Sequence, residues 1–221
     1  MRGYPGYFDL VKRYMKFLEK EGEVNREASN GFSVLMGKTE MLDENSFSVV
    51  HFLWQQKLFS QLLPLLLLSF QQSKEENKKA VFLFSISNIL KHPKKEVLIP
   101  EIPSILPLLL QSLSTEDASL ILSTLDTFLL ILNESSSSLQ PHLHSLVSSF
   151  LSLSKFPSQP KIRLFALKCL HLFTKDQPFH LLFPHRDHVV QQLLYSLDDK
   201  KRSVRKQAVQ TRNEWITLQS D

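Results

Sequence analysis

The sequence predicts an all-α fold built from paired antiparallel helices, and three observations carry that prediction. Five glycines in 221 residues are too few for the many tight turns of a sandwich or barrel. Leucine-rich segments place apolar residues at steps of three and four, the spacing of one helix face. Markers in the second half recur about every 42 residues, so one supersecondary unit is being repeated.

The elements follow in order. Phe8, Val11, Met15 and Leu18 share one face of a first helix. After a turn around Gly22, Val24, Ala28, Phe32, Leu35 and Met36 share a face of a second. Residues 39–46 read as a polar connection and 47–54 as a short helix leading into a longer one over 58–70. That apolar run contains Gln61 and Pro64 and falls short of the ~20 residues a bilayer requires, so it is expected to be a buried helix. Residues 74–79 form a charged turn and helix start, and 81–90 is apolar nearly all round, as in a helix buried on most sides.

From there prolines punctuate the chain. Pro100, Pro141 and Pro184 stand 41 and 43 residues apart, each predicted to open a helix, because proline in the first turn lacks only an N–H that has no use there. These helices are expected to run through Leu113, Leu153 and Leu197. The second helices agree: Ile162-Arg163 with Ala166-Leu167 matches Val204-Arg205 with Ala208-Val209 at an offset of 42. A two-helix period of that length is that of a HEAT-type, armadillo-like α-solenoid. Five hairpins are predicted, near 7–36, 57–91, 101–132, 141–173 and 185–216, forming a single domain over residues 1–221 in which each pair touches mainly its neighbours. The first hairpin carries apolar groups on more than one side. It is therefore expected to follow further repeats in a longer chain, since terminal repeats need a polar outer face.

The last hairpin is the most explicit. Asp198 and Asp199 precede a helix whose first-turn N–H groups a carboxylate can accept from. Val204, Ala208, Thr211 and Trp215 make its apolar stripe. Its partner is residues 188–197, with Val190, Leu193, Leu194 and Leu197 as the facing set. Trp215 and Trp54 are both expected in the core.

Composition narrows the function. A net charge of +4 is too modest to mark a nucleic-acid binder. A single cysteine, Cys169, cannot form an internal disulfide or hold a zinc or iron-sulfur centre from this chain alone. His142 with His144, and His185 with His188, have no thiolate companion, and a two-residue step on a helix points side chains apart, so no metal is expected. There is no glycine-rich phosphate loop and no serine elbow. No catalysis and no cofactor are predicted. The N-terminus shows no secretory signal, and an intracellular protein is expected. The Ser135 to Ser138 run reads as a solvated loop.

Leu197-Asp198-Asp199-Lys200-Lys201-Arg202, then Val204-Arg205-Lys206, Ala208-Val209, Arg212 and Glu214-Trp215, resemble the C-terminal end of the Mms-nineteen family. The likeness extends upstream through Gly31-Phe32-Ser33, through residues 97–103 (Val97-Leu98-Ile99-Pro100-Glu101-Ile102-Pro103), and through Phe150-Leu151 with Leu153-Ser154. Members are long HEAT solenoids, so the resemblance implies that this chain is the C-terminal HEAT domain only. It further implies an adaptor of cytosolic iron-sulfur protein assembly that binds a WD-repeat propeller subunit and a MIP-eighteen-family subunit. Through them it would serve apo-clients such as DNA helicases and polymerases, in cytoplasm and nucleus and at the mitotic spindle, without a membrane or direct nucleic-acid contact.

The residues proposed for partner contact are Lys200, Lys201, Arg202, Arg205, Lys206, Arg212 and Arg163. Arginine can pair bidentately with carboxylates. Asp199 with Arg205, six residues on, also fits an Asp–Arg ladder between repeats, which gives Arg205 a structural alternative. Arg163 has Pro157 where that aspartate would stand, and is therefore expected to be freer to bind. The competing functional reading is a HEAT-repeat transport or nucleic-acid-associated scaffold.

Overall fold

The computed structural model describes residues 7–20, 22–37 and 52–218. Among these the secondary structure is α-helix and short 3-10 segments, with no strand, so the all-α solenoid-like fold is what the chain adopts. The contacts divide it into two compact units, Met1–Leu98 and Ile99–Asp221. The expected connection at 39–46 and the start of the expected short helix at 47–51 lie outside the described residues.

In the first unit α1 (Tyr7–Leu18) packs on α2 (Glu23–Met36), α3 (Phe52–Gln72) packs on α4 (Glu76–Leu90), and α2 lies against α4. A four-residue helix, α5 (Lys95–Leu98), closes the unit. Leu18, Phe32, Met36, Phe59, Leu62, Leu66 and Ile86 are buried, and their removal from water is the main stabilising contribution. Trp54 sits in the first turns of α3, half-buried, with the Lys57 ammonium 5.3 Å from its ring centre. It is thus a boundary residue rather than the core residue expected.

Side chains tie the pairs together through backbone carbonyls. Tyr14 donates to Ala28 O at 2.9 Å, Gln55 to Met36 O at 2.7 Å and Asn88 to Ser29 O at 3.0 Å. Gly31 permits the first of these, because a Cβ there would lie 1.7 Å from the Tyr14 hydroxyl.

The second unit is three helix pairs in chain order: α6 (Ile102–Leu113) with α7 (Ala118–Ser135), α8 (Leu143–Leu153) with α9 (Pro160–Asp176), and α10 (Phe179–Gln192) plus α11 (Leu194–Leu197) with α12 (Arg202–Ile216). α9 lies between α7 and α12, and α8 packs on α10. Among the described residues these pairs, with the two of the first unit, correspond to the five predicted hairpins.

The repeat is visible in the hydrogen bonds. Cys169 Sγ meets Leu125 O at 3.9 Å, and Thr211 Oγ1 donates to Leu167 O at 3.1 Å, each across 44 residues. Each second helix thus grips its predecessor in the same register. Ala166 and Ala208 are fully buried, small enough for the helices to approach. Phe150 continues the core, with Phe128 and Phe173 at 5.5 and 5.9 Å between ring centres.

Lys95–Leu113 and Ala118–Leu153 are long and apolar enough to cross a membrane by composition alone. Both are interrupted by 3-10 turns, and their apolar faces are largely in the core.

Three local expectations are corrected. Pro100 and Pro141 do not open α-helices but lie in the 3-10 segments Ile99–Glu101 and Ser136–His142 that lead into them. α6 takes a different proline, Pro103, in its first turn. Pro184 lies inside α10, which begins earlier after Pro178; only one i→i−4 bond is lost there. Leu194, expected in the apolar face, is 48% exposed, whereas Val189 is buried. The helix breaks at Leu193, which rotates the next residues off the stripe. Ser136 is not solvated. It is buried, and its carbonyl accepts from Gln177 Nε2 at 2.6 Å.

Candidate partner-binding surface

The basic set gathers at the turn between α11 and α12. Asp199 organises that turn by accepting from the Lys201 backbone N–H at 2.7 Å, an aspartate turn two residues long. No side chain caps α12 directly, so the predicted role of the aspartates is met one step earlier in the chain.

The same carboxylate does a second job. Arg163 of α9 reaches across to it, with Nε to Oδ2 at 2.6 Å and Nη2 to Oδ1 at 3.1 Å. This is a side-on, two-bond pairing that matches the planar fork of guanidinium to carboxylate. Arg163 Nη1 also donates to Phe156 O at 2.8 Å and Pro157 O at 3.4 Å. The two side chains are only 11% and 9% exposed. Burial pushes the Asp199 carboxyl up, but the hydrogen bonds from Arg163 and the Lys201 amide, with the charges of Arg163 and Arg205, outweigh it and hold the group below its usual value.

The ladder assignment is therefore corrected. Arg163, expected to be free for a partner, is the residue that pairs with the Asp199 side chain. Arg205 instead donates from Nη1 to the Asp199 backbone carbonyl at 2.6 Å. The aspartate serves the arginine of the preceding repeat, 36 residues back, because α12 stacks on α9 and brings its leading turn over the α9 N-terminus. The pair spans two repeats, so a six-residue spacing within one repeat does not contain it.

The remaining candidates divide by exposure. Lys200, Lys201, Arg202, Arg205 and Lys206 are exposed. Arg212 is turned toward α10, where Nε donates to Val190 O at 3.3 Å, and from α10 Arg186 Nη2 donates back to Ile216 O at 3.0 Å. Trp215 is fully buried and donates to Leu170 O at 2.9 Å.

A cleft of about 500 Å³ lies beside the ion pair, lined in part by Lys155, Phe156, Tyr195 and Lys200. Tyr195 is 70% exposed, with the Lys155 ammonium 5.8 Å from its ring centre, while Lys155 also donates to Gln192 Oε1. These two residues had no signal in the repeat pattern. Tyr195 lies in the short turn helix, where periodicity has no purchase.

Elsewhere, the His144 and His185 rings meet between α8 and α10, 5.2 Å between centres and tilted by 41°, a pairing different from either sequence pair. Burial, then the charges of His144 and His188, lower the pKa of His185. Among the described residues no three His, Cys, Asp or Glu side chains converge as metal ligands. Cys169 is buried, and burial pushes its thiol well above the usual range, as for a packing residue rather than a reactive one.

The model of a family described as RNAPII transcription regulator C-terminal matches residues 1–174. Curated relatives carry the match further. The MMS19 nucleotide excision repair protein homolog of Dictyostelium discoideum is 38% identical over 204 residues, 89% of this chain and 18% of the relative. The chain belongs to the MMS19 family. The human MMS19 homolog is 36% identical over all 221 residues, 21% of its own length, so that alignment runs through the Asp199 turn and α12. The DNA repair/transcription protein mms19 of Schizosaccharomyces pombe is 34% identical over 87% of this chain and 19% of its own length. The chain thus spans about a fifth of these MMS19 relatives. An engineered protein of known crystal structure is similar in fold at a TM-score of 0.58 and 11% identity, over 94% of this chain and 89% of that one.

Proposed function

We propose that this segment is a non-catalytic adaptor surface of cytosolic iron-sulfur protein assembly. It docks the WD-repeat propeller subunit and the MIP-eighteen-family subunit and brings to them apo-clients of DNA repair and replication. The cluster is cargo made elsewhere. Membership of the MMS19 family supports this reading, as do the relatives' names, which speak of excision repair and transcription. In the whole protein the work takes place in cytoplasm and nucleus, with the spindle as a further location.

The observation that carries the surface is the cluster of exposed Lys200, Lys201, Arg202, Arg205 and Lys206 on one turn and the helix it starts. That turn is held by a bidentate ion pair, so the charges are presented from a rigid base, which suits recognition of an acidic partner. The test is co-precipitation with each assembly subunit, comparing the native chain with the triple variant Lys201→Glu, Arg202→Glu, Lys206→Glu. Loss of binding is expected; undiminished capture removes this surface from the interface.

The same exposed cations favour one rival, a scaffold touching nucleic acid. Duplex DNA titrated at several salt concentrations would then show log affinity falling against log salt by about 0.9 per phosphate neutralised. We expect no such slope.

A further inference from the structure

Arg163 and Arg205 stand 42 residues apart, at one register position in successive helices, and each hangs from the turn before its own helix. Arg163 Nη1 donates to Pro157 O, and Arg205 Nη1 donates to Asp199 O, each six residues upstream. With Nη1 tethered, the guanidinium's other edge, Nε and Nη2, is turned to a second acceptor. For Arg163 that acceptor is the Asp199 carboxylate of the following repeat. For Arg205 the edge has no hydrogen-bond partner among the described residues, and the side chain is exposed.

The rest of the face follows the same register. Leu167 is fully buried, while Val209, its equivalent in α12, is 47% exposed, and Ile216 farther along is 37% exposed. The Leu167 carbonyl accepts the Thr211 hydroxyl of the next helix. What α9 offers to α12, α12 therefore offers again on its far side.

We propose that the outer face of α12 takes a helix start from a protein partner, with Arg205 clasping an aspartate or glutamate of its leading turn as Arg163 clasps Asp199, and Val209 covered as Leu167 is. The surrounding charge selects the occupant. Lys201, Arg202 and Lys206 are exposed on the same stretch and repel a basic turn while favouring an acidic one. This deepens the adaptor reading and rests on it, since the partner is one of the two assembly subunits.

The experiment measures the affinity of the full chain for each subunit by calorimetry at about 0.15 M salt, for the native protein, Arg205→Lys, Arg205→Gln and, as a remote surface cation, Lys175→Gln. Lysine keeps the charge but lacks the two-pronged edge. We expect Arg205→Lys and Arg205→Gln to weaken one subunit about tenfold or more, with Lys175→Gln within about twofold and all melting curves alike. If Arg205→Lys binds as the native chain does, the clasp is refuted while the adaptor reading stands. Equal losses from Arg205→Gln and Lys175→Gln would show that only net charge is read, which also refutes it. Binding of neither subunit by the native chain overturns the adaptor reading and this inference together.

Discussion

Helices α9 and α12 are the same element written twice, and they differ in what lies on their far sides. Both have a buried alanine at the crossing point, a hydrogen bond to the carbonyl of the helix behind, and an arginine tethered to its own leading turn. α9 has a helix on each side, whereas the outer side of α12 is exposed. The local sequence makes both helices alike, and only the stacking separates a structural arginine from an available one.

The comparison can be broken most sharply at its apolar position. Leu167→Ala empties a site enclosed by neighbouring helices and is expected to cost about 2–5 kcal/mol, while Val209→Ala at the equivalent exposed position should cost under about 0.5 kcal/mol. Urea unfolding of the two variants measures the difference; similar midpoints would mean that α12 is covered as α9 is.

Next in size is the rung itself. Asp199→Asn leaves the little-exposed Arg163 guanidinium without its counter-charge and should cost about 2–3 kcal/mol, whereas Arg205→Gln should change stability by less than about 1 kcal/mol. Thermal melts of both proteins test that asymmetry.

The pH dependence has a definite sign. The Asp199 carboxyl is held below its usual value in the folded chain, so its contribution is fully present above the ordinary aspartate pKa of about 3.9. It is lost as pH falls through the lower folded value. The native chain should therefore lose part of its margin over Asp199→Asn in strong acid, and a constant difference in melting temperature down to about pH 2 would contradict the pairing.

The smallest contrast between the two helices is expected at the crossing alanines, both fully buried. Ala208→Leu should cost about 1–3 kcal/mol through overpacking, and Ala166→Leu should lie toward the top of the same range because its helix is enclosed on two sides. Circular dichroism would show an unchanged midpoint for any alanine that faced solvent.

Much of the architecture was legible because HEAT-type pairing is written in local spacing. The apolar steps of α2 and α12 and the 42-residue offset between Arg163 and Arg205 predict helix pairs whatever lies around them. Helix starts were less legible. Proline signals a first turn, yet Pro141 is accommodated in a 3-10 lead-in and Pro184 inside a helix, since one missing N–H is a small loss. The exposed Leu194 and Tyr195 were hidden because a break at Leu193 resets the phase on which a periodicity argument depends.

By itself the sequence determined the all-α class, the repeat length, the buried stripe ending in Trp215 and the basic stretch from Lys200 to Arg212, because each depends on neighbours within a few turns of helix. Tertiary structure alone decided which arginine Asp199 serves. That choice lies between residues 36 positions apart and is settled by where stacking sets the turn of one repeat against the helix of the one before.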